Sequence, residues 1–229
     1  KRQAEAAERA KQREAKARRE MSDQRKTALA RFLAAKTLTA GDVGWAYLKA
    51  RGIDLAQLPR LPGSVRLSLL EPWYEGEGSE PAHVGPALIS AMTLPSGDLG
   101  AIHRIWINPD RPGQKADLKP ARKMWPASEG SVIRLWRGES GLSEREAADK
   151  GRIEDIIVCE GVEDGLSIAL MTPEFRVVAA GSLPGLDSYV PPKIARTIIV
   201  AADNDWGKPQ AEALLNRACA RLVTEFGKR

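Results

Sequence analysis

The chain has 229 residues, 43% hydrophobic and 5% aromatic, enough for a real core. No apolar run approaches the roughly 20 residues of a membrane span and no signal-peptide pattern opens the sequence, so a cytoplasmic protein without membrane partners is expected. Two cysteines, Cys159 and Cys219, make no disulfide framework, and His83 and His103 are not spaced with them as zinc ligands. The net charge of +5 is uneven: residues 1–36 hold 12 Lys or Arg against 5 Asp or Glu, and residues 101–137 hold 8 against 3. Two basic segments on a mildly acidic body suit a polyanionic partner. The opening at Lys1, without an initiator Met, is what an excerpt of a longer protein is expected to show.

Residues 1–36 contain no Gly or Pro and are rich in Ala, Glu, Lys, Gln and Arg. They predict a long solvated helix, with Glu14 four residues before Arg18 in the favourable order for an ion pair. Apolar residues gather only around Leu29, Phe32 and Leu33, where the last turns would dock on the body. The helix is either a connector to an upstream domain or a DNA-binding arm. Thr39 or Asp42 then caps a short helix that Gly52 ends.

The stretch 61–86, rich in Pro, Gly and Glu, predicts loops with short strands. "ALISAMTLPSGDLGAIHRIWI" predicts a β-hairpin turning at Pro95-Ser96-Gly97-Asp98. A basic loop follows at 108–126, then a strand at 131–136. The polar stretch 138–151 is the expected boundary between a basic α+β subdomain, 37–150, and a second domain.

From 153 the pattern changes. "DIIVC", "RVVAA" and "RTIIVA" are short apolar runs of the kind buried on both faces of a parallel sheet. "VEDGLSIALM" fits a crossover helix, and residues 209–227 a closing helix with Pro209 in its first turn and Gly227 at its end. The class is α/β. Two strands end in carboxylates: "DIIVCEG" at Glu160 and "IIVAADND" at Asp203 and Asp205. In such sheets functional groups collect beyond the carboxyl ends of the strands. Residues i and i+2 of an extended segment point the same way, so Asp203 and Asp205 can aim at one point. Converging carboxylates repel unless a cation neutralises them, and hard oxygen ligands favour Mg²⁺ or Mn²⁺.

The strand-end Glu160-Gly161, followed some forty residues later by Asp203-x-Asp205, resembles the TOPRIM domain of primases, topoisomerases and some nucleases. Asp164 stands four after the Glu, where replicative primases often carry an Asp; it is either a metal ligand or a favourable charge, with Glu163, at a helix N-terminus. "YLKARGI", "AIHRIWINPD" and "ARKMWPASEGSVIRLW" are similar to the segment that precedes TOPRIM in phage- and plasmid-type primases of mobile elements. Gly207 departs from the family spacing by one position, and the sequence ends before a further strand and acidic ligand common in the family.

The resemblance implies a Rossmann-like parallel sheet at 151–229 behind the basic subdomain. It implies a DNA primase core, a metal-dependent nucleotidyltransferase making RNA primers on single-stranded DNA from ribonucleoside triphosphates. A helicase or another replication domain outside the chain is the implied partner. Glu160, Asp203 and Asp205 are the implied catalytic residues and, with Asp164, the metal ligands; Lys123, Arg122, Arg104 and His103 are expected to line the same cleft and hold nucleotide phosphates or DNA. Arg111, Lys115 and Lys119 fit a solvated loop, and Trp106, Trp125 and Trp136 fit core packing better than base stacking. The "GSLPGL" loop is either a phosphate contact or a tight turn. A TOPRIM nuclease or topoisomerase, or a non-catalytic nucleic-acid-binding module, is the alternative.

Overall fold

The computed structural model describes residues 2–76, 80–127, 129–204 and 207–227. Helix α1 (Arg2–Ala34) is exposed along most of its length and docks only near its end, through Ala28 and Phe32. Of the three apolar residues expected to dock, Phe32 is buried while Leu29 and Leu33 remain exposed. The i,i+4 pair of Glu14 and Arg18 forms at 2.8 Å. After the short strand β1 (Lys36–Thr37), helix α2 (Val43–Ala50) starts at Asp42, whose carboxylate accepts the Trp45 N–H at 2.7 Å.

An antiparallel meander follows: β2 (Val65–Trp73), β3 (His83–Thr93), β4 (Leu99–Trp106) and β5 (Arg122–Trp125) form with β1 a sheet in the order β1-β2-β3-β4-β5. The hairpin turn falls where expected, with Gly97 at φ +92°. Two expectations are corrected. The 61–86 stretch holds a nine-residue strand, β2, and the start of β3; a register shift between Ser68 and Glu71 breaks the alternation that would have marked β2. Lys123, expected in a basic loop, lies on strand β5.

The second sheet is built from β6 (Ile133–Arg137), β7 (Glu154–Cys159), β8 (Arg176–Ala179) and β9 (Ala195–Ala201), in the order β6-β8-β7-β9. β7 runs parallel to β8 and β9, and β6 is antiparallel to β8. β6, counted from sequence with the basic subdomain, thus belongs by its hydrogen bonds to the second sheet. The polar stretch after it forms α3 (Glu144–Asp149), capped reciprocally by Ser143 and Glu146. Helices α4 (Val162–Met171), α5 (Leu183–Asp187) and α6 (Pro209–Phe226) complete the second unit. No helix among the described residues is long and apolar enough to cross a membrane.

The two sheets are stitched by paired hydrogen bonds between Thr93 and Val132, 2.8 and 3.0 Å. One core runs across the junction, with Leu88, Met92 and Ile105 packed together with Leu135, Cys159, Leu166 and Val177. Because side chains alternate, the first sheet has two distinct faces. His103, Ile105, Arg122 and Met124 share the face turned to the second sheet; Arg104, Trp106, Lys123 and Trp125 share the other. α1 covers part of that second face, through Ala28 and Phe32 against Ile89 and Ile102.

Candidate active site

Cys159 is paired with Ala179 on β8 and with Ala201 on β9. The next residues, Glu160, Ala180-Gly181 and Ala202-Asp203, therefore leave the sheet at one edge, and the Gly181 N–H donates to the Glu160 carbonyl at 2.8 Å. Glu160 is largely buried and Asp203 is exposed. Asp164, in the first turn of α4, lays its carboxylate over Gly161, well inside the distance a Cβ there would allow. The Glu-Gly pair thus has a steric reason: the glycine leaves room for the carboxylate of Asp164. All three carboxylates act on one reporter, the Cys159 thiol, which burial pushes up to about 12, helped by Asp164, Asp203 and Glu160. Asp205, with Trp206, lies outside the described residues.

The inward face of the first sheet brings cations to this edge. Arg122 on β5 places Nη2 4.0 Å from Glu160 Oε1. Lys115 Nζ stands 3.1 Å from the buried carboxylate of Glu163, which also accepts from the Tyr47 hydroxyl at 2.8 Å and has Arg51 at 3.8 Å. Burial works to raise the Glu163 pKa, but Lys115, Tyr47 and Arg51 outweigh it and hold the group below the usual carboxylate range. His103 is buried behind the strand ends, close to Gly181, and its Nδ1 has no hydrogen-bond partner. Burial depresses its pKa to about 4, against the pull of Glu163 and with the help of Arg122, Lys115 and Arg104.

The structure thus brings Glu160, Asp164, Asp203, Arg122 and His103 to one region. Lys123 and Arg104 do not join them. Their register puts both on the opposite face of the first sheet, so the expectation that they share a cleft with the carboxylates is corrected. Lys123 donates to the Tyr74 carbonyl and lies 4.1 Å from the centre of the Trp73 ring; Arg104 pairs with Glu71 at 3.2 Å. Sequence reasoning missed the network of Tyr47, Arg51, Lys115 and Glu163. Its members lie on three separate segments, and only the helical spacing of Val43, Ala46, Tyr47 and Ala50 hinted at a buried hydroxyl. Trp106 and Trp136 are core residues, their indole N–H groups donating to the Glu71 and Pro173 carbonyls at 3.0 and 2.7 Å. The "GSLPGL" loop forms α5, whose start Ser182 caps through the Gly185 N–H.

The donors at the strand ends are all carboxylate oxygens, the chemistry that suits Mg²⁺ or Mn²⁺. Among the described residues no three or more His, Cys, Asp or Glu side chains already converge as a metal cage. Glu160, Asp164 and Asp203 are the described carboxylates at this edge, and Mg²⁺ needs only one or two such ligands beside water and phosphate.

Residues 22–135 match a domain of unknown function, DUF7146, and residues 155–225 match the Toprim domain. No curated protein matches the chain. Among solved structures, the zinc-binding and RNA polymerase domains of the Aquifex aeolicus primase share 15% identity with a TM-score of 0.50, over 91% of this chain and 59% of that one. A DNA primase domain from Pseudomonas aeruginosa shares 13% identity with a TM-score of 0.52, over 87% of this chain and 66% of that one. The chain therefore spans less than two thirds of either. With Glu160-Gly161 and Asp203 at the strand ends of the second sheet, the chain carries a Toprim domain behind an antiparallel sheet, in the fold of bacterial primase domains.

Proposed function

We propose that this chain is the catalytic core of a DNA primase of the phage or plasmid type, joining ribonucleotides on a single-stranded DNA template. The observation that carries this reading is the parallel register of β7 and β9, by which Glu160 and Asp203 leave the sheet at the same edge, while Arg122 reaches Glu160 from the facing sheet. Carboxylates and cations facing each other across one edge fit a triphosphate, whose charge needs both metal and side-chain partners. Topoisomerase chemistry needs, beyond these groups, a nucleophilic tyrosine. Of the three tyrosines, Tyr47 and Tyr189 are buried, and burial foremost holds both phenols well above their ordinary range, while half-buried Tyr74 lines the cavity on the outward face of the first sheet.

In the proposed reaction a nucleotide 3′-hydroxyl oxygen bonds to the α-phosphorus of the incoming triphosphate, the bond to pyrophosphate breaks, and the hydroxyl proton leaves. Glu160, Asp203, Asp205 and Asp164 would hold Mg²⁺ or Mn²⁺, which when bound would supply positive charge for the phosphate oxygens and the attacking hydroxyl. Glu160 would serve either as a further metal ligand or as the general base that takes the hydroxyl proton. Arg122 offsets phosphate charge at the same carboxylate. Lys115 adds a second cation one network away, fixed by Glu163. A helicase or another replication domain outside the chain is the proposed partner.

The test measures incorporation of labelled ribonucleotides on single-stranded DNA beside a cleavage assay in one preparation. Incorporation should appear with Mg²⁺ or Mn²⁺, and either ion should raise the melting temperature by linkage. Asp203→Asn with Asp205→Asn should abolish both effects while leaving the metal-free melting temperature in place. Cleavage without incorporation assigns a nuclease. Full activity in the double variant removes these residues from the site.

A further inference from the structure

A cavity of about 540 Å³ opens beside the junction of the two sheets, in the size range of ligand sites, lined by Arg60, Ser64, Arg134, Trp136, Arg137 and Arg176 among others. Arg60 comes from the segment between α2 and β2, Arg134 and Arg137 from β6, and Arg176 from the start of β8. The site lies away from the acidic edge. Arg176 opens β8 and Ala179 closes it, and Ala179 pairs with Cys159 just before Glu160. At about 3.3 Å per residue, Arg176 stands roughly 10 Å or more back along the strand from the carboxylates. Two of the four guanidinium groups are neutralised: Arg134 meets Glu144 at 2.8 Å and Arg176 meets Glu154 at 2.6 Å. Arg60 and Arg137 are not. Among the described residues, neither has a carboxylate within ion-pair distance.

The two unpaired groups are gathered on one atom. Arg60 Nη1 donates to the Gly141 carbonyl at 2.9 Å, and Arg137 Nη1 reaches the same oxygen at 3.5 Å. Arg60 also lies over the Trp136 ring, 4.8 Å from its centre. Gly141, at φ +68°, makes the room: a Cβ there would stand 2.4 Å from Arg60 Nη1. Guanidinium groups held this close repel one another. Burial first, and then the charges of Arg137 and Arg176, pull the Arg60 pKa below its ordinary value. The buried Tyr189 hydroxyl, on which the charges of Glu144, Arg134 and Arg176 act, has no hydrogen-bond partner. One carbonyl oxygen does not balance two positive charges, and a single carboxylate would leave one of them over. A phosphate monoester carries about −1.5 to −2 at neutral pH and offers three oxygens to planar donor forks. The cavity leaves room for the rest of such a molecule. We propose that this cavity binds the terminal phosphate of a small molecule through Arg60 and Arg137, bridging the segment before β2 to the second sheet. The proposal stands independently of the catalytic reading, because it is tested without metal or template.

The experiment is isothermal titration calorimetry with inorganic phosphate and, separately, inorganic pyrophosphate, in EDTA at fixed ionic strength, so that no metal carries either anion to the acidic edge. Saturable binding at one site per chain is expected. Arg60→Gln and Arg137→Gln should each raise Kd about tenfold or more, the scale of a lost charge-assisted hydrogen bond. Arg137→Lys, which keeps the charge but not the planar fork, should lose less than Arg137→Gln. Both arginines are exposed, so melting temperatures in chloride should stay close to the parent. Arg122→Gln, at the acidic edge, should bind both anions as the parent does. No saturable binding of either anion overturns the proposal, as does parental affinity in both Gln variants. Equal loss in Arg122→Gln also overturns it, by moving the anion to the acidic edge. Labelled oligo-dT in the same buffer separates a small ligand from a nucleic-acid backbone. If Arg60→Gln and Arg137→Gln lose strand affinity as far as they lose pyrophosphate affinity, the arginines are strand contacts and the proposal falls.

Discussion

Replacing Glu163 by Gln should destabilise the protein more than any single exposed ion pair could. The carboxylate is buried, and it ties together α2 through Tyr47, the 113–115 segment through Lys115, and the first turn of α4. The Tyr47 hydroxyl is a buried donor to a charged acceptor, worth about 1.5–3 kcal/mol. Lys115 and Arg51 keep 32% and 40% of their side-chain exposure, so solvent screens them and each adds about 0–1 kcal/mol. Gln retains an acceptor for Tyr47 but loses the charge. The expected loss is about 2 kcal/mol, which for a chain of this size lowers Tm by roughly 4–8 °C. Thermal unfolding followed by circular dichroism at neutral pH measures it. Tyr47→Phe in the same background should recover little, because the two groups act as a pair; a double-mutant cycle gives their coupling. A Tm within about 1 °C of the parent for Glu163→Gln refutes the network as a stabilising element. The consequence for the site is positional: α4 carries Asp164 and follows directly on Glu160, so loosening its first turn should also lower incorporation more than it lowers strand binding.

The parts of this molecule that were legible in sequence are those decided locally. The hairpin at 95–98 needs a glycine at positive φ and has one; α6 opens on Pro209 and closes at Gly227. The strand-end carboxylates stand out because three short apolar runs precede small or acidic residues. What was not legible depends on pairing between distant segments. The facing of Lys123 is set by its register opposite Arg104, across a loop of more than a dozen residues, and a shift of one position would have turned it to the acidic edge. β6 has the composition of either sheet, and only its bonds to β8 assign it. Lys115 sits in a Pro- and Gly-containing segment that promises solvent, yet meets a carboxylate 48 positions away. Phe32, Leu29 and Leu33 occupy neighbouring helical positions, and the contact of one rather than all three with Ile89 and Ile102 is a matter of helix rotation.

The remaining predictions concern α4, α1 and His103. A Cβ at Gly165 would collide with Leu135 Cδ1 and with Cys159 Sγ, so Gly165→Ala should destabilise by about 1–3 kcal/mol despite its better helix propensity, as read by chemical denaturation. Deleting residues 1–20, which are exposed throughout their described part, should change stability by less than about 0.5 kcal/mol. Phe32→Ala, at the docked end, should lose about 3 kcal/mol. His103 gives the pH dependence. Its folded pKa of about 4 lies below the ordinary 6.5, so protonation favours the unfolded chain. Its stabilising contribution is complete above pH 6.5 and is lost as pH falls towards 4, at about 1.4 kcal/mol per pH unit and about 3 kcal/mol in all. Glu163, held below the usual carboxylate range, loses its own contribution only at lower pH, below about 4.5, so the two windows separate. Urea unfolding between pH 7 and 4 should show the decline in the parent and a nearly flat profile in His103→Leu. An equal decline in both proteins would show that the buried imidazole is not what titrates.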